Sequence, residues 1–231
     1  MKLTGMKEIK GEITLMSGLH IGAGDMEMRI GGTDNPVIKH PHTQEPFIPG
    51  SSLKGKVRSL LEMKSGLMGK TGGKPLHPSA LEECNDQERK LGEKILKLFG
   101  SSGAEDEHLA ALGPTRVSFA DAYLNQEWKK DADAHQWPLV EVKSENSINR
   151  IKGTAEHPRF TERVPAGTRF DFRITLKVME GDEGLEDLLL EGLKLLQMDA
   201  LGGNGSRGYG KIGFSFEDSD FQAKFDEKSP L

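Results

Sequence analysis

The sequence predicts an α+β fold of the split βαβ, ferredoxin-like kind. Two observations carry that expectation. Periodic segments run in the order strand, helix, strand, strand, helix, strand, and the stretches that interrupt this order are polar enough to be insertions. Residues 8–16 open the pattern, because Ile9, Ile13 and Leu15 sit at strand spacing among polar neighbours. A loop rich in glycine and proline follows from Ser17 to Gly50, and loops of that length inside a domain usually carry function. Ser51 or Ser52 is expected to cap a helix whose apolar positions Leu53, Val57, Leu60 and Leu61 recur at helical spacing. Residues 65–115 read as an insertion, with a short helix near 91–99 ended by Gly100. Strand character resumes at 116–124. It returns at 139–151 and 168–179, which flank an Arg-rich polar stretch expected to protrude as a hairpin over about 140–168. A helix at 185–197 and a strand at 209–216 complete the order. The polar tail after Phe221 is expected to fray. The expectation is one domain over 1–231, with its body in 8–64 and 116–216.

Hydrophobic residues make up 35% of the 231 and charged residues 29%, the balance of a globular chain on the polar side. No apolar run approaches the ~18–20 residues of a membrane span and no signal-peptide pattern opens the chain, so no membrane partner is expected. The single cysteine, Cys84, excludes an internal disulfide and fits a reducing cytoplasm; its acidic surroundings suggest an ordinary surface or insertion residue. The net charge of −5 argues at first against a nucleic-acid partner, since phosphate binding is largely electrostatic. The distribution reverses that impression. Lys39, Lys54, Lys56, Arg58, Lys64, Lys70 and Lys74 dominate one stretch, and Lys143, Arg150, Lys152, Arg159, Arg163, Arg169 and Arg173 another. Acids gather at 82–86, 105–107, 180–191 and 217–220. Such segregation predicts a basic face on an acidic body.

The run Gly202-Gly203-Asn204-Gly205-Ser206-Arg207-Gly208-Tyr209-Gly210 places five glycines in nine residues. Glycine reaches φ > 0 and admits close approach of another backbone. Successive amides can form an anion-binding concavity, to which Arg207 adds a planar fork. The spacing Gly203-x-Gly205-x-x-Gly208 formally matches a dinucleotide fingerprint, but that motif needs strand, glycines, helix. Here the order is helix, glycines, strand, so the nicotinamide reading fails on context.

In combination, these pieces resemble the RAMP superfamily of CRISPR proteins, and within it the multi-copy backbone subunit of type III-A (Csm) effector complexes. The resemblance is carried by Leu201–Lys211, by Gly18-Leu-His-Ile-Gly22, and by Phe47-Ile-Pro-Gly-Ser-Ser-Leu-Lys-Gly-Lys-Val-Arg58. Thr33-Asp-Asn-Pro-Val-Ile-Lys39 is similar to the segment bearing that subunit's cleavage aspartate, and Glu141–Arg150 to the start of its thumb hairpin. The match runs in order from about Ile9 to Phe216. It implies an RNA-recognition-like palm with a helical lid insertion and a β-hairpin thumb. It also implies copies stacked head to tail along CRISPR RNA beside other Csm subunits. Target single-stranded RNA would be cut at regular intervals with an aspartate and a divalent ion, Mg²⁺ or Mn²⁺.

On this resemblance Asp34 is the catalytic and metal-binding candidate. A carboxylate with an ordinary pKa of about 3.9 is ionised at neutral pH and can take a 2′-hydroxyl proton or hold a hydrated cation. Read without the resemblance, Asp34-Asn35-Pro36 is a favoured turn. Ser51, Ser52, Lys54 and Arg58 form the best phosphate-binding cluster, since anions are favoured at a helix N-terminus and Lys54 and Arg58 share a face. A solvated helix face would show the same charges. His20 is placed against the CRISPR RNA backbone, although a lone histidine more often packs. Gly202, Gly203, Asn204, Gly205, Ser206 and Arg207 are the expected cradle, where one or two glycines would already satisfy a tight turn. Arg150 and Arg159 contact RNA or a neighbouring copy, while His40 and His42 have no defined common face and stay unassigned. Two other functions compete: a backbone subunit that binds RNA without cutting it, and a CRISPR RNA-processing ribonuclease of the same superfamily.

Overall fold

The computed structural model describes residues 2–24, 35–101 and 112–231. Its centre is an antiparallel sheet in the order β2-β6-β1-β7, formed by β1 (Leu3–Leu15), β2 (Val117–Phe119), β6 (Arg169–Met179) and β7 (Ile212–Phe216), with β3 (Tyr123–Leu124) also on β6. The chain leaves β1, forms helix α1 (Gly50–Lys64), and enters β2 with β6 lying between the two strands. After β6 it forms α4 (Leu185–Met198) and enters β7 with β1 between. Two interleaved split βαβ units are the ferredoxin-like arrangement the periodicities predicted.

Both crossover helices bury apolar faces against the sheet. Leu53, Val57 and Leu61 of α1 and Leu189, Leu193 and Leu196 of α4 join Ile9, Ile13, Phe170, Phe172 and Phe214 in one core. Burying side chains of this size is worth roughly 1.5–3 kcal/mol each. Gly192 lets the helices meet, since a Cβ there would press on Val57 and Leu61. The other sheet face is a charge ladder in which Glu8 pairs Lys10 and Arg173, and Glu12 pairs Arg169.

The expected strand at 116–124 is broken into β2 and β3, because Ala122 turns away to exchange hydrogen bonds with Ile48. The segment expected at 139–151 is not a sheet strand. It is the first arm of a separate two-stranded hairpin, β4 (Glu141–Asn149) with β5 (Thr154–Arg163). In the insertion, α2 (Asp86–Phe99) starts five residues earlier than expected, at a capping box between Asn85 and Glu88. Cys84 is buried there, donating to the Ala80 carbonyl, rather than exposed. Two helices were not foreseen. α3 (Gln126–His135) is capped by Asn125 and buries Trp128 and Ala132. α5 (Ser219–Asp226) overturns the frayed tail: Asp218 caps it, and Phe225 packs 5.0 Å from the Phe216 ring.

Candidate nucleic-acid interface

One end of the sheet gathers four segments that are distant in sequence. β1 runs out into Gly18–Gly22, and Leu19 pairs with Val164 just beyond β5, so the base of the hairpin sits on this exit. The glycine segment lies across it. Gly203 donates to the His20 carbonyl at 2.8 Å and Gly210 to the Gly18 carbonyl at 2.9 Å. A Cβ on Gly202 would overlap the His20 carbonyl and one on Gly210 that of Leu201; both residues have positive φ, +75° and +71°. The backbone these glycines admit is therefore the protein's own. The amides of Gly203, Arg207, Gly208, Tyr209 and Gly210 are spent internally. The outer rim, at Gly203 and Gly208, faces less crowded space.

Glu162 organises the hairpin side of this cleft and is itself buried. Its carboxylate accepts from the Val37 amide and pairs with Lys39, each at 2.9 Å, and its carbonyl lies 2.7 Å from His20 Nδ1. A carbonyl only accepts, so Nδ1 carries the proton, and in the neutral ring Nε2 is left as an acceptor. The Glu162 amide donates to Asn35 O at 3.0 Å, and Asn35 bridges Thr161. Asp34, the expected catalytic and metal-binding residue, lies outside the described residues, next in the chain to this anchored position.

Tyr209 ties the glycine segment to the hairpin. Its hydroxyl donates to Glu145 at 3.0 Å, and Lys143 and Arg163 sit over its ring at 4.7 and 5.0 Å. Burial pushes the Glu145 carboxyl up, but the Tyr209 hydroxyl, Arg207 and Lys143 outweigh it and hold the group below its usual 4.5. Burial, then Glu145, raises the Tyr209 phenol above its usual 10.0. Arg207 is held by Glu145 and Asn204 rather than standing as an open fork.

Helix α1 borders the same cleft. Lys56 pairs with Asp199 at 2.6 Å, which brings its first turns beside the start of the glycine segment. Neither Ser51 nor Ser52 caps it: the N-cap is Pro49, without a side-chain bond. The cap comes from elsewhere, as Gly50 donates to Asp121 Oδ1 at 2.8 Å, and glycine is required because a Cβ would overlap the Phe119 carbonyl. Ser51 is exposed and Ser52 half-buried at that N-terminus. Arg58 does not reach out as expected. Its guanidinium bonds Glu62 at 2.6 Å and the carbonyls of Gly100 and Leu76 at 2.9 and 2.7 Å, stitching α1 to the insertion. Lys54 makes no ion pair among the described residues, and burial, then Arg58, lowers its pKa.

The broad basic face is largely neutralised, since Lys39, Lys56, Lys64, Lys70, Lys143, Arg163, Arg169 and Arg173 all pair with carboxylates. Exposed Arg150 and Arg159, like Lys152, make no ion pair among the described residues; Arg150 and Lys152 stand at the hairpin tip and Arg159 midway along β5, opposite Glu145. Sequence reading missed Glu162, Glu145 and Asp121, because their roles depend on register between segments more than 60 residues apart. Among the described residues no group of three or more His, Cys, Asp or Glu is placed to hold a metal ion.

A family model described as the RAMP superfamily matches residues 12–213, spanning sheet, insertion and hairpin. The chain belongs to the RAMP superfamily. This RAMP chain is 41% identical over 221 residues to the CRISPR system Cms endoribonuclease Csm3 of Methanothermobacter thermautotrophicus, across 89% of this chain and 82% of the relative. It is 42% identical over 216 residues to the protein of the same name from Methanocaldococcus jannaschii, across 92% and 79%. A chain in the crystal structure of a Csm3–Csm4 subcomplex of the type III-A CRISPR-Cas interference complex superposes with a TM-score of 0.56 at 30% identity, across 96% of this chain and 85% of that one. The β4–β5 hairpin lies where the resemblance expects a thumb, and α2 lies within the stretch read as a lid. Among the described residues no helix is long and apolar enough to cross a membrane.

Proposed function

We propose that this chain is a CRISPR-RNA-binding, filament-forming backbone subunit of a type III-A effector complex that cuts guide-complementary RNA through Asp34. The observation that supports it is the convergence of the glycine segment, His20 and the base of the thumb on the position that follows Asp34, with α1 bordering the glycine segment through Lys56 and Asp199. Relatives named Csm3 endoribonucleases, at 36–42% identity over most of the chain, support the cleavage chemistry. The structural likeness to a Csm3–Csm4 subcomplex supports Csm partners. A lone thiol suits the reducing cytoplasm as the place of action.

In this reading the guide strand lies over the outer rim of the glycine segment. Lys54 and the Ser51 and Ser52 hydroxyls at the α1 N-terminus meet its phosphates. His20 Nε2, held by the Nδ1 bond to Glu162, accepts from a ribose hydroxyl, the group that distinguishes RNA from DNA. The thumb, latched through Tyr209 and Glu145, displaces a nucleotide and leaves the neighbouring phosphodiester free to adopt in-line geometry. Asp34 accepts the 2′-hydroxyl proton as that oxygen attacks phosphorus; a 2′,3′-cyclic phosphate forms, the P–O5′ bond breaks, and the departing 5′-oxygen takes a proton from water. Asp34 would hold the Mg²⁺ or Mn²⁺, which would supply charge stabilisation at the scissile phosphate.

The test is a reconstituted complex with mapped target products, with and without chelator. Asp34→Ala is expected to lower cutting at least 100-fold, the scale of removing a proton-transfer group, with guide binding and assembly unchanged. Unaltered cutting refutes the assignment and leaves the non-cutting backbone reading. Precursor cleavage by the isolated chain would favour the processing reading.

A further inference from the structure

Both tryptophans of the chain lie in one place outside the cleft. Trp128 and Trp137, with ring centroids 6.4 Å apart, wall a cavity of about 460 Å³ together with Pro138 and Pro165, between α3 and the thumb base. Trp128 is buried, whereas Trp137 is 49% exposed although its outer ring face stacks on His135 at 5.1 Å. The polar lining is mostly acidic. Asp131 makes no ion pair among the described residues, and Glu141 has only the guanidinium of Arg163 at 2.7 Å; the lining cation, Arg169, is taken by Glu12. An apolar slot edged by carboxylates suits an apolar side chain flanked by cations.

The thumb tip carries that pattern. Ile151 is 97% exposed, the most exposed large apolar side chain described, and it stands between Arg150 and Lys152. The tip cannot fill its own chain's pocket. Glu141 lines the cavity at the thumb base, and the strand from Glu141 to Asn149 carries the tip ~26 Å away at ~3.3 Å per residue.

We propose that the tryptophan pocket receives the thumb tip of a second copy of this chain, with Ile151 in the cavity against the tryptophan rings and Arg150 and Lys152 against Asp131 and Glu141. Plug and socket occupy different patches, so the contact is heterologous and propagates from copy to copy. The inference rests on the reading of the chain as a self-stacking backbone subunit.

The tryptophans are their own probe. The full chain is mixed with a guide RNA long enough for several copies and, separately, with one that holds a single copy. Emission and particle mass are recorded for each. The expected result is a tryptophan emission shift with the long RNA alone. Ile151→Asp removes that shift and weakens stacking at least tenfold. Asp131→Lys does the same, and adding Lys152→Glu to Asp131→Lys restores both. A shift with the single-copy RNA means the pocket takes nucleic acid and overturns the proposal. Wild-type copies that stack without a shift, or an Ile151→Asp chain that stacks like wild type, overturn it while the backbone reading stands. Failure of the wild-type chain to stack on the long RNA removes the backbone reading itself.

Discussion

Gly210 has a φ of +71°, and its missing side chain is the space occupied by the Leu201 carbonyl. Gly208, at +84°, has nothing within 4 Å of that position. Gly208→Ala should therefore lose only the left-handed strain, about 1–2 kcal/mol. Gly210→Ala adds a backbone clash and should lose more than ~2 kcal/mol. Thermal unfolding of the two variants separates these values. Tyr209→Phe removes one buried hydroxyl hydrogen bond and should lower stability by about 1 kcal/mol. The pH behaviour of this latch has two edges. The Glu145 pKa is depressed, so its stabilisation is present above the unfolded value of 4.5 and lost as pH falls through the folded value. The Tyr209 pKa is raised, so its stabilisation is present below 10.0 and lost as pH rises through the folded value. Protection factors of the β4 amides, corrected for the intrinsic pH dependence of exchange, should be flat across that window and fall beyond either edge, while the Tyr209→Phe chain should lack the alkaline edge. The sequence showed that the glycines were special but not toward what. Five in nine residues announce close approach, and only the fold reveals that the approaching backbone belongs to Gly18–His20.

At the level of elements, α1 divides its cations between two duties. Arg58→Ala leaves Glu62, 5% exposed, without its partner in the interior and should destabilise the chain by about 3–5 kcal/mol. Lys54→Glu should leave unfolding nearly unchanged, lower RNA affinity, and reduce the salt slope of binding by about 0.7 for each phosphate no longer neutralised. Binding isotherms at several salt concentrations, read beside melting curves, test both expectations. Spacing alone could not assign these roles, because Lys54 and Arg58 share a helix face whether or not an insertion folds over one of them. The palm helices and the outer palm strands were legible because their apolar periods are strong. The α3 and α5 helices were missed although each had a cap and an i,i+4 aromatic or alanine pair, Trp128 with Ala132 and Phe221 with Phe225. Their turns are short and their remaining positions polar, so tertiary packing decides them.

Over the whole molecule, the split βαβ body brings four remote segments to one sheet end and leaves the opposite sheet face as a ladder of mutually paired charges. In the proposed function a chain of net charge −5 holds RNA on one face: many body cations are spent on carboxylates, while Lys54 near the α1 N-terminus and Arg150, Lys152 and Arg159 on the hairpin make no ion pair among the described residues. The proposal runs the guide strand along the cleft between them. Ultraviolet cross-linking of the wild-type chain to its guide RNA, with the modified peptides sequenced, tests that path most directly. Cross-links at His20, Lys54 and the 203–207 rim are the result this account predicts. Cross-links confined to the charge-laddered sheet face around Lys10 and Arg173, with the glycine segment unmodified, would contradict it.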